Sequence, residues 1–211
     1  VTPYIQHATS NATMFIGYKN VWRTVNAKAT TPTFTKISTG LAGSNSQNIS
    51  VLEQSPKNTN VLYMVRADSK LFRTDDCMAT TPSWTNLSTS LPVTATATDI
   101  EAHPTKDSVV YMTLSNKVYR STNFGQSWTN ISGTLPNVAM NCLVIDVKGN
   151  ADALYVGSDL GVFYRDSSMG DWTAFRTGLP ATAEVTELEI WYDNSNHLNS
   201  RIRAATYGRG L

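Results

Sequence analysis

Short apolar runs alternate with polar residues along the whole chain, and turn-forming residues separate the runs. The apolar positions are rich in Val, Ile, Tyr, Phe and Trp, and no stretch has the 3.6-residue period of an amphipathic helix. Clusters of Ser, Thr, Asn, Asp, Gly and Pro lie between the runs, and these residues favour tight turns. The pattern therefore predicts an all-β protein of short antiparallel strands joined by hairpins.

The predicted strands recur as a unit. Trp84, Trp128 and Trp172 are spaced 44 residues apart, and each leads into a polar segment that ends in Leu-Pro. An earlier and weaker copy has Phe34 in the tryptophan position. Upstream of each aromatic residue lie an opening strand and a hairpin of two strands. We label the four strands of a unit A to D, so that the aromatic residue begins strand D.

A four-stranded antiparallel unit of about 44 to 50 residues is typical of a β-propeller blade, because solenoids of similar period consist of helix pairs. We predict one partial propeller domain over residues 1–211, with four blades and a half blade. The predicted limits are 3–38, 48–88, 97–132 and 140–176 for the blades and 184–211 for the half blade. Because a ring normally closes by pairing its open strand edges, we expect the C-terminal part of a larger, six- to eight-bladed ring, with the rest upstream of Val1.

Composition excludes some classes of partner. Seventeen Lys and Arg against sixteen Asp and Glu give a net charge of +1 without a basic run, so no nucleic-acid partner is expected. The sequence has no run of 18 apolar residues, so no membrane span is predicted. No motif indicates a cofactor. The polar positions are mostly Ser, Thr and Asn, a mixture common in exported β proteins, which favours a secreted or cell-surface location.

The cysteines and histidines do not form a recognisable metal pattern. Cys77 and Cys142 lie in non-equivalent parts of the repeat, so we favour two separate thiols over a disulfide, which stays open as the alternative. The three histidines are scattered among the units, and we predict no metal site.

The segment 121–128 connects strands C and D of the third unit. Ser121 and Asn123 can hydrogen-bond the turn backbone, Gly125 permits a positive φ, and Trp128 can cover the turn. The segment resembles the Asp-box, or bacterial neuraminidase repeat, whose pattern is Ser-x-Asp-x-Gly-x-Thr/Ser-Trp. Asn123 stands in place of the Asp.

Two further units carry altered copies of this box. The second is stretched between Thr74 and Trp84, and the fourth is degraded over residues 166–172. The resemblance implies a propeller similar to secreted sialidases, sortilin-like receptors and xyloglucanase-type glycoside hydrolases. In that superfamily the box is a peripheral folding element, so it implies blades rather than chemistry.

Strand direction separates two faces of the predicted propeller. The D-to-A connections and the B-to-C hairpins share one face, and propellers of this superfamily bind ligands there, near the axis. We expect the ligand-binding face to include the acidic residues Asp68, Asp99, Asp159, Glu184 and Glu187.

Two enzymatic interpretations follow from the resemblance. Residues 158–165 resemble the stretch around a catalytic Asp in xyloglucanases, although the second Gly of that motif is missing. The resemblance makes Asp159 the candidate catalytic residue. The competing interpretation is that Asp159 is a structural turn residue. A sialidase would need an arginine triad. The strand C arginines instead occupy one repeat column, which marks them as structural: Arg23, Arg73, Arg120 and Arg165.

These observations lead to three functions. The first hypothesis is a binding or scaffold module for polysaccharides, glycoproteins or protein partners, because the repeat carries no recognisable catalytic pair. The alternatives are the C-terminal part of a glycoside hydrolase that acts on polysaccharide, and a sortilin-like peptide receptor.

Overall fold

The computed structural model describes residues 2–39, 41, 47–149, 151–175, 177–180 and 182–207. Within these ranges, eighteen strands form four four-stranded antiparallel sheets and one two-stranded sheet. The predicted all-β class and the four-stranded blades are thereby confirmed. The predicted limit at residue 176 and the last residues of the half blade, 208–211, lie outside the described residues.

The four complete sheets have the same strand order, in which each strand pairs with the next one in sequence. Blade 1 contains β1 (Tyr4–His7), β2 (Ser10–Gly17), β3 (Val21–Thr24) and β4 (Thr35–Lys36). Blade 2 contains β5 (Ile49–Gln54), β6 (Leu62–Arg66), β7 (Lys70–Thr74) and β8 (Trp84–Asn86). Blade 3 contains β9 (Ala97–Ala102), β10 (Val110–Leu114), β11 (Lys117–Ser121) and β12 (Thr129–Asn130). Blade 4 contains β13 (Met140–Asp146), β14 (Ala153–Ser158), β15 (Gly161–Arg165) and β16 (Thr173–Ala174).

The half blade contains β17 (Val185–Trp191) and β18 (Arg201–Thr206). Two short 3-10 turns, Ser88–Ser90 and His197–Asn199, are the helical elements in the described ranges. No helix in this part of the chain combines the length and the apolar character needed to cross a membrane.

The hydrophobic cores lie between neighbouring blades. Phe15 and Val21 of blade 1 pack with Leu62 and Phe72 of blade 2, and similar clusters join each later pair of sheets. Neighbours cover both faces of a blade, so every residue of β6 and of β10 is buried. This explains why the B strands are nearly continuous apolar runs in the sequence.

The outer D strands are short because each lies at the edge of its sheet. The pairs in β4, β12 and β16 are exposed, and they make two cross-strand pairs each. The A strands lie on the opposite, inner edge and contact one another from blade to blade.

Cys77 and Cys142 are separate, buried thiols in different inter-blade cores, which confirms the favoured interpretation. Burial raises the pKa of the Cys77 thiol to about 11 and raises the pKa of Cys142 as well. Both thiols are therefore protonated at neutral pH and act as small apolar side chains.

Candidate functional site

The inner strands of all five sheets surround a cavity of about 570 Å³, which we call the central cavity. Its walls come from β1, β5, β9, β13 and β17. Five carboxylate side chains line it: Glu53, Asp99, Glu101, Glu187 and Glu189. No lysine, arginine or histidine is among its lining residues in the described ranges, so the cavity is strongly acidic.

The alternation of side-chain direction along each A strand places these carboxylates together. Asp99 and Glu101 are two residues apart in β9, and neighbouring side chains in a strand point to opposite faces, so both lie on one face. Ile100 between them is buried in the core shared by blades 2 and 3. In β17, Glu187 and Glu189 flank the buried Leu188 in the same way.

Two of the carboxylates connect neighbouring blades. A Glu53 side-chain oxygen accepts a hydrogen bond from the Ala102 backbone N–H at 3.1 Å. Asp99 Oδ2 accepts one from the Leu143 backbone N–H at 2.8 Å. Each acid of one blade therefore satisfies a backbone donor on the A strand of the next blade.

The cavity changes the proton affinity of its acids. Burial raises the pKa of Asp99 to about 7, and the negative charge of Glu187 contributes further. Burial also raises the pKa of Glu53 to about 8, although the hydrogen bond from Ala102 opposes the shift. One side of each carboxyl opens on the cavity, and both residues are half-buried. These acids are therefore partly protonated near neutral pH and can donate as well as accept hydrogen bonds.

Two further acids of the cavity have pKa values shifted in the same direction. Burial raises the pKa of Glu101 well above its usual range, and the neighbouring carboxylate of Glu53 adds to the effect. Partial burial also raises the pKa of Glu187, although that residue is exposed overall. A group of carboxyls in which some are protonated and others ionised is the arrangement that general acid–base chemistry requires.

The predicted ligand-binding residues do not all meet in this cavity. Asp99 and Glu187 line it. Asp68 instead forms an ion pair with the buried Arg66, with an N–O distance of 2.7 Å. Asp159 is exposed on the hairpin between β14 and β15 and accepts a hydrogen bond from Asn141 Nδ2 at 3.0 Å. Glu184 is also exposed outside the cavity, and its carbonyl oxygen accepts a hydrogen bond from the Tyr207 backbone N–H.

Sequence reasoning missed Glu53, Glu101 and Glu189. The repeat contained a signal for the first two, because Glu53 and Glu101 pair with Tyr63 and Tyr111 at equivalent positions of strand B. A search for acids in one repeat column of strand A would have found this pair.

The turn over residues 121–128 is a closed hydrogen-bond system. Asn123 Oδ1 accepts from the Ser127 backbone N–H at 2.9 Å, and Ser121 Oγ accepts from the Gly125 backbone N–H at 2.9 Å. Gly125 has a φ of +81°, as the turn requires. Trp128 packs against the core between blades 2 and 3. These contacts close the blade at its periphery, away from the central cavity.

The hydrogen bond from a backbone N–H to the side-chain oxygen of the turn Asn or Asp also occurs in the first two blades. Asn26 Oδ1 accepts from the Thr33 N–H at 3.0 Å, and Asp76 Oδ1 accepts from the Ser83 N–H at 2.9 Å. The stretched copy in blade 2 therefore keeps the central hydrogen bond of the turn, and blade 1 carries a stretched copy as well.

The expectation that four arginines share one strand C column is wrong for Arg165. The strand B partners are Phe15 for Arg23, Tyr63 for Arg73 and Tyr111 for Arg120. In blade 4 the equivalent residue is Tyr164, which pairs with Tyr155, whereas Arg165 pairs with Leu154. Arg165 directly precedes the turn acid Asp166, while one residue, Thr122, separates Ser121 from Asn123. Blade 4 is therefore one residue shorter at this point.

Within the described residues, no group of three or more His, Cys, Asp or Glu side chains has the geometry to hold a metal ion.

No protein-family model and no curated protein matches the sequence. Solved structures do match the fold. A GH74 enzyme from Niastella koreensis superposes with a TM-score of 0.69 at 14 % identity, over 99 % of this chain and 28 % of that enzyme. A GH74 xyloglucanase from Xanthomonas campestris gives a TM-score of 0.63 at 15 % identity, over 98 % of this chain and 35 % of that chain.

An ancestral GH74 enzyme gives a TM-score of 0.65 at 14 % identity, over 86 % of this chain and 25 % of its own. This chain thus spans about a quarter to a third of the length of these enzymes. At this level of identity the likeness concerns the fold alone, and it shows that the chain is built from β-propeller blades like those of the GH74 enzymes.

Proposed function

We propose that the chain is the saccharide-binding part of a propeller protein and that the central cavity receives the sugar. The observation that carries the proposal is the set of five carboxyl groups around a cavity of about 570 Å³. That volume lies within the usual range for small-molecule sites. Sugar hydroxyls both donate and accept hydrogen bonds, and partly protonated carboxyls can satisfy both roles.

A glycoside hydrolase is the second candidate, and the raised pKa values favour it. Such an enzyme needs one carboxyl that is protonated at its working pH and a second one that is ionised. Asp99, with a pKa of about 7, fits the first role. Glu187 is the nearby acid whose negative charge contributes to raising that pKa. The fold shared with GH74 enzymes, one of them a xyloglucanase, supports this candidate. Asp159 stays a candidate from its sequence context alone.

Two wider features belong to the same proposal. Further blades would complete the ring, since the last sheet has two strands where the other four have four. The protein would act outside the cell or at its surface, as its Ser-, Thr- and Asn-rich composition suggests. A peptide-receptor role has no specific support in the contacts of the cavity.

Calorimetric titration of the full chain with xyloglucan oligosaccharides and β-glucan oligosaccharides tests the binding proposal. Asp99→Asn and Glu187→Gln should each weaken binding about tenfold, because each replaces a group that hydrogen-bonds the sugar. Glu184→Gln is the matched control, since Glu184 is exposed, three residues from Glu187 and outside the cavity. Absence of binding, or equal affinities for all four proteins, would contradict the proposal.

Release of reducing ends from the same substrates tests the hydrolase candidate. Loss of turnover in Asp99→Asn with turnover kept in Asp159→Asn would assign the acid to the cavity. The opposite pattern would assign it to the β14–β15 hairpin. Binding without turnover leaves the saccharide-binding proposal standing and rejects the enzyme, and a protein partner captured without any sugar affinity would favour a receptor.

A further inference from the structure

A second cavity lies between blades 3 and 4, on the side of the A-to-B turns and the peripheral turns, and we call it the inter-blade pocket. Its volume is about 300 Å³. Three cationic side chains line it from three different elements: Lys106, Arg120 and Arg165. We propose that the inter-blade pocket binds a small oxyanion, such as a sulfate, a phosphate or a sugar carboxylate. The proposal is independent of the function assigned to the central cavity.

Arg120 is the main reason for expecting a ligand. Its counterparts donate to backbone carbonyls of the next blade, Arg23 to Cys77 O at 2.6 Å and Arg73 to Phe124 O at 3.1 Å. Arg120 makes no hydrogen bond or ion pair within the described part of the chain, although it is only half exposed. A guanidinium carries five N–H donors, and partly buried donors are normally satisfied.

A change of residue size explains why the pocket exists at this blade junction. Phe124 and Ser167 are equivalent, since each follows the turn Asn or Asp and donates its backbone N–H to the preceding A-to-B turn. The Phe124 ring lies 5.1 Å from the Arg73 guanidinium and fills the junction of blades 2 and 3. Ser167 is too small to do the same beside Arg120, and it lines the pocket instead.

Arg165 closes the opposite wall as a consequence of the shortened strand connection. Because Arg165 takes the position that Ser121 holds in blade 3, its side chain points back toward blade 3. Its Nη1 donates to Ile131 O at 3.0 Å, which leaves most of its N–H groups for other acceptors. The pocket therefore has arginines on both walls, a geometry suited to holding an oxyanion between two forks.

The two acids of the pocket are already engaged by other groups. The Asp152 carboxylate contacts the Lys106 ammonium and lies 3.4 Å from His103 Nε2. Asp166 accepts from Tyr164 Oη at 2.6 Å and from the Ser168 backbone N–H at 2.9 Å. Hydrogen bonds hold the pKa values of both acids below their usual range. The hydrogen-bonding groups that remain unused in the pocket are thus N–H donors, which an anion would satisfy.

Titration of the full chain with sodium sulfate, sodium phosphate and sodium glucuronate, each at constant ionic strength, tests the proposal. The readout is the arginine side-chain Nε–Hε signals in NMR spectra. Arg120→Gln should raise the dissociation constant of the bound anion at least tenfold, because a charge-assisted fork is lost. Lys57→Gln should leave it unchanged, since Lys57 is exposed on the equivalent turn of blade 2. The anion that binds most tightly identifies the oxyanion class.

Asp152→Asn supplies a test in the opposite direction. It removes a negative charge from the pocket and releases Lys106, so it should tighten anion binding several-fold. Asn tolerates the φ of +44° found at Asp152, so the backbone should be kept. The proposal is wrong if none of the three anions shifts the arginine signals, or if Arg120→Gln and Asp152→Asn both bind as the wild type does.

Discussion

Gly157 shows how closely the second strand of blade 4 approaches its surroundings. A Cβ atom built at this position would lie 2.6 Å from Cys142 Sγ and 2.7 Å from Val185 Cγ1. Both neighbours are buried, Val185 completely, so neither can move into solvent. The junction between blade 4 and the half blade therefore requires a residue without a side chain in β14.

Gly157→Ala should lower the free energy of unfolding by about 1 to 3 kcal/mol, the usual cost of overpacking a dense core. Gly170→Ala is the matched control, because a Cβ there would meet no atom within 4 Å. The control should be neutral or slightly stabilising. Urea denaturation followed by tryptophan fluorescence measures both. Equal stabilities for the two variants would contradict the tight contact at Gly157.

At the scale of single elements, the peripheral turn of blade 3 offers the sharpest prediction. Asn123→Ala removes the acceptor for the Ser127 backbone N–H and should destabilise the protein by about 1 kcal/mol. Asn123→Asp keeps that acceptor, so its cost should stay below about 0.5 kcal/mol. Thermal unfolding of both variants gives the comparison. A loss as large in Asn123→Asp as in Asn123→Ala would mean that the oxygen is not the important group.

The strands themselves were predictable because their pattern is local. The alternation and the spacing of the tryptophans predict four strands in each unit, and β1 to β16 lie within the four predicted blade limits. The register of blade 4 was not predictable from the sequence. Arg165 lies one residue beyond the arginine position of the other blades, and a shift of one residue turns a side chain to the other face of the strand. Only the cross-strand pairing shows that Tyr164, and not Arg165, occupies the repeat position of the other arginines.

At the scale of the whole molecule, the A strands form both the walls of the central cavity and the polar connections between blades. Sequence could place Asp99 and Glu187 on one face, since strand direction follows from the repeat. The repeat column of strand A also marks Glu53 and Glu101. Sequence could not show that the acids of different blades meet in one cavity, because that depends on how far each blade is rotated against the next. The proton affinities of the acids have the same long-range origin, since five strands create the burial.

The protonation of these acids makes the stability of the whole assembly depend on pH. The pKa of Asp99 is about 7 and that of Glu53 about 8 in the folded chain, against ordinary values near 4 when unfolded. The folded state thus binds protons more tightly than the unfolded state does. The resulting stabilisation is fully present below about pH 4 and is lost as the pH rises through about 7 and 8.

We therefore expect the free energy of unfolding, measured with urea, to fall as the pH rises from about 5 to about 8. Asp99→Asn should flatten this dependence, because Asn has no proton to lose and its Oδ1 can still accept from the Leu143 N–H. Asp193→Asn is the control, since hydrogen bonds lower the pKa of Asp193 to about 2, so its ionisation contributes only at more acidic pH. That variant should keep the wild-type slope between pH 5 and pH 8 even if its stability is lower throughout. A wild-type stability that rises over this range would show that the cavity carboxyls are already ionised at pH 5. An unchanged slope in Asp99→Asn would show that the Asp99 carboxyl does not contribute to the pH dependence.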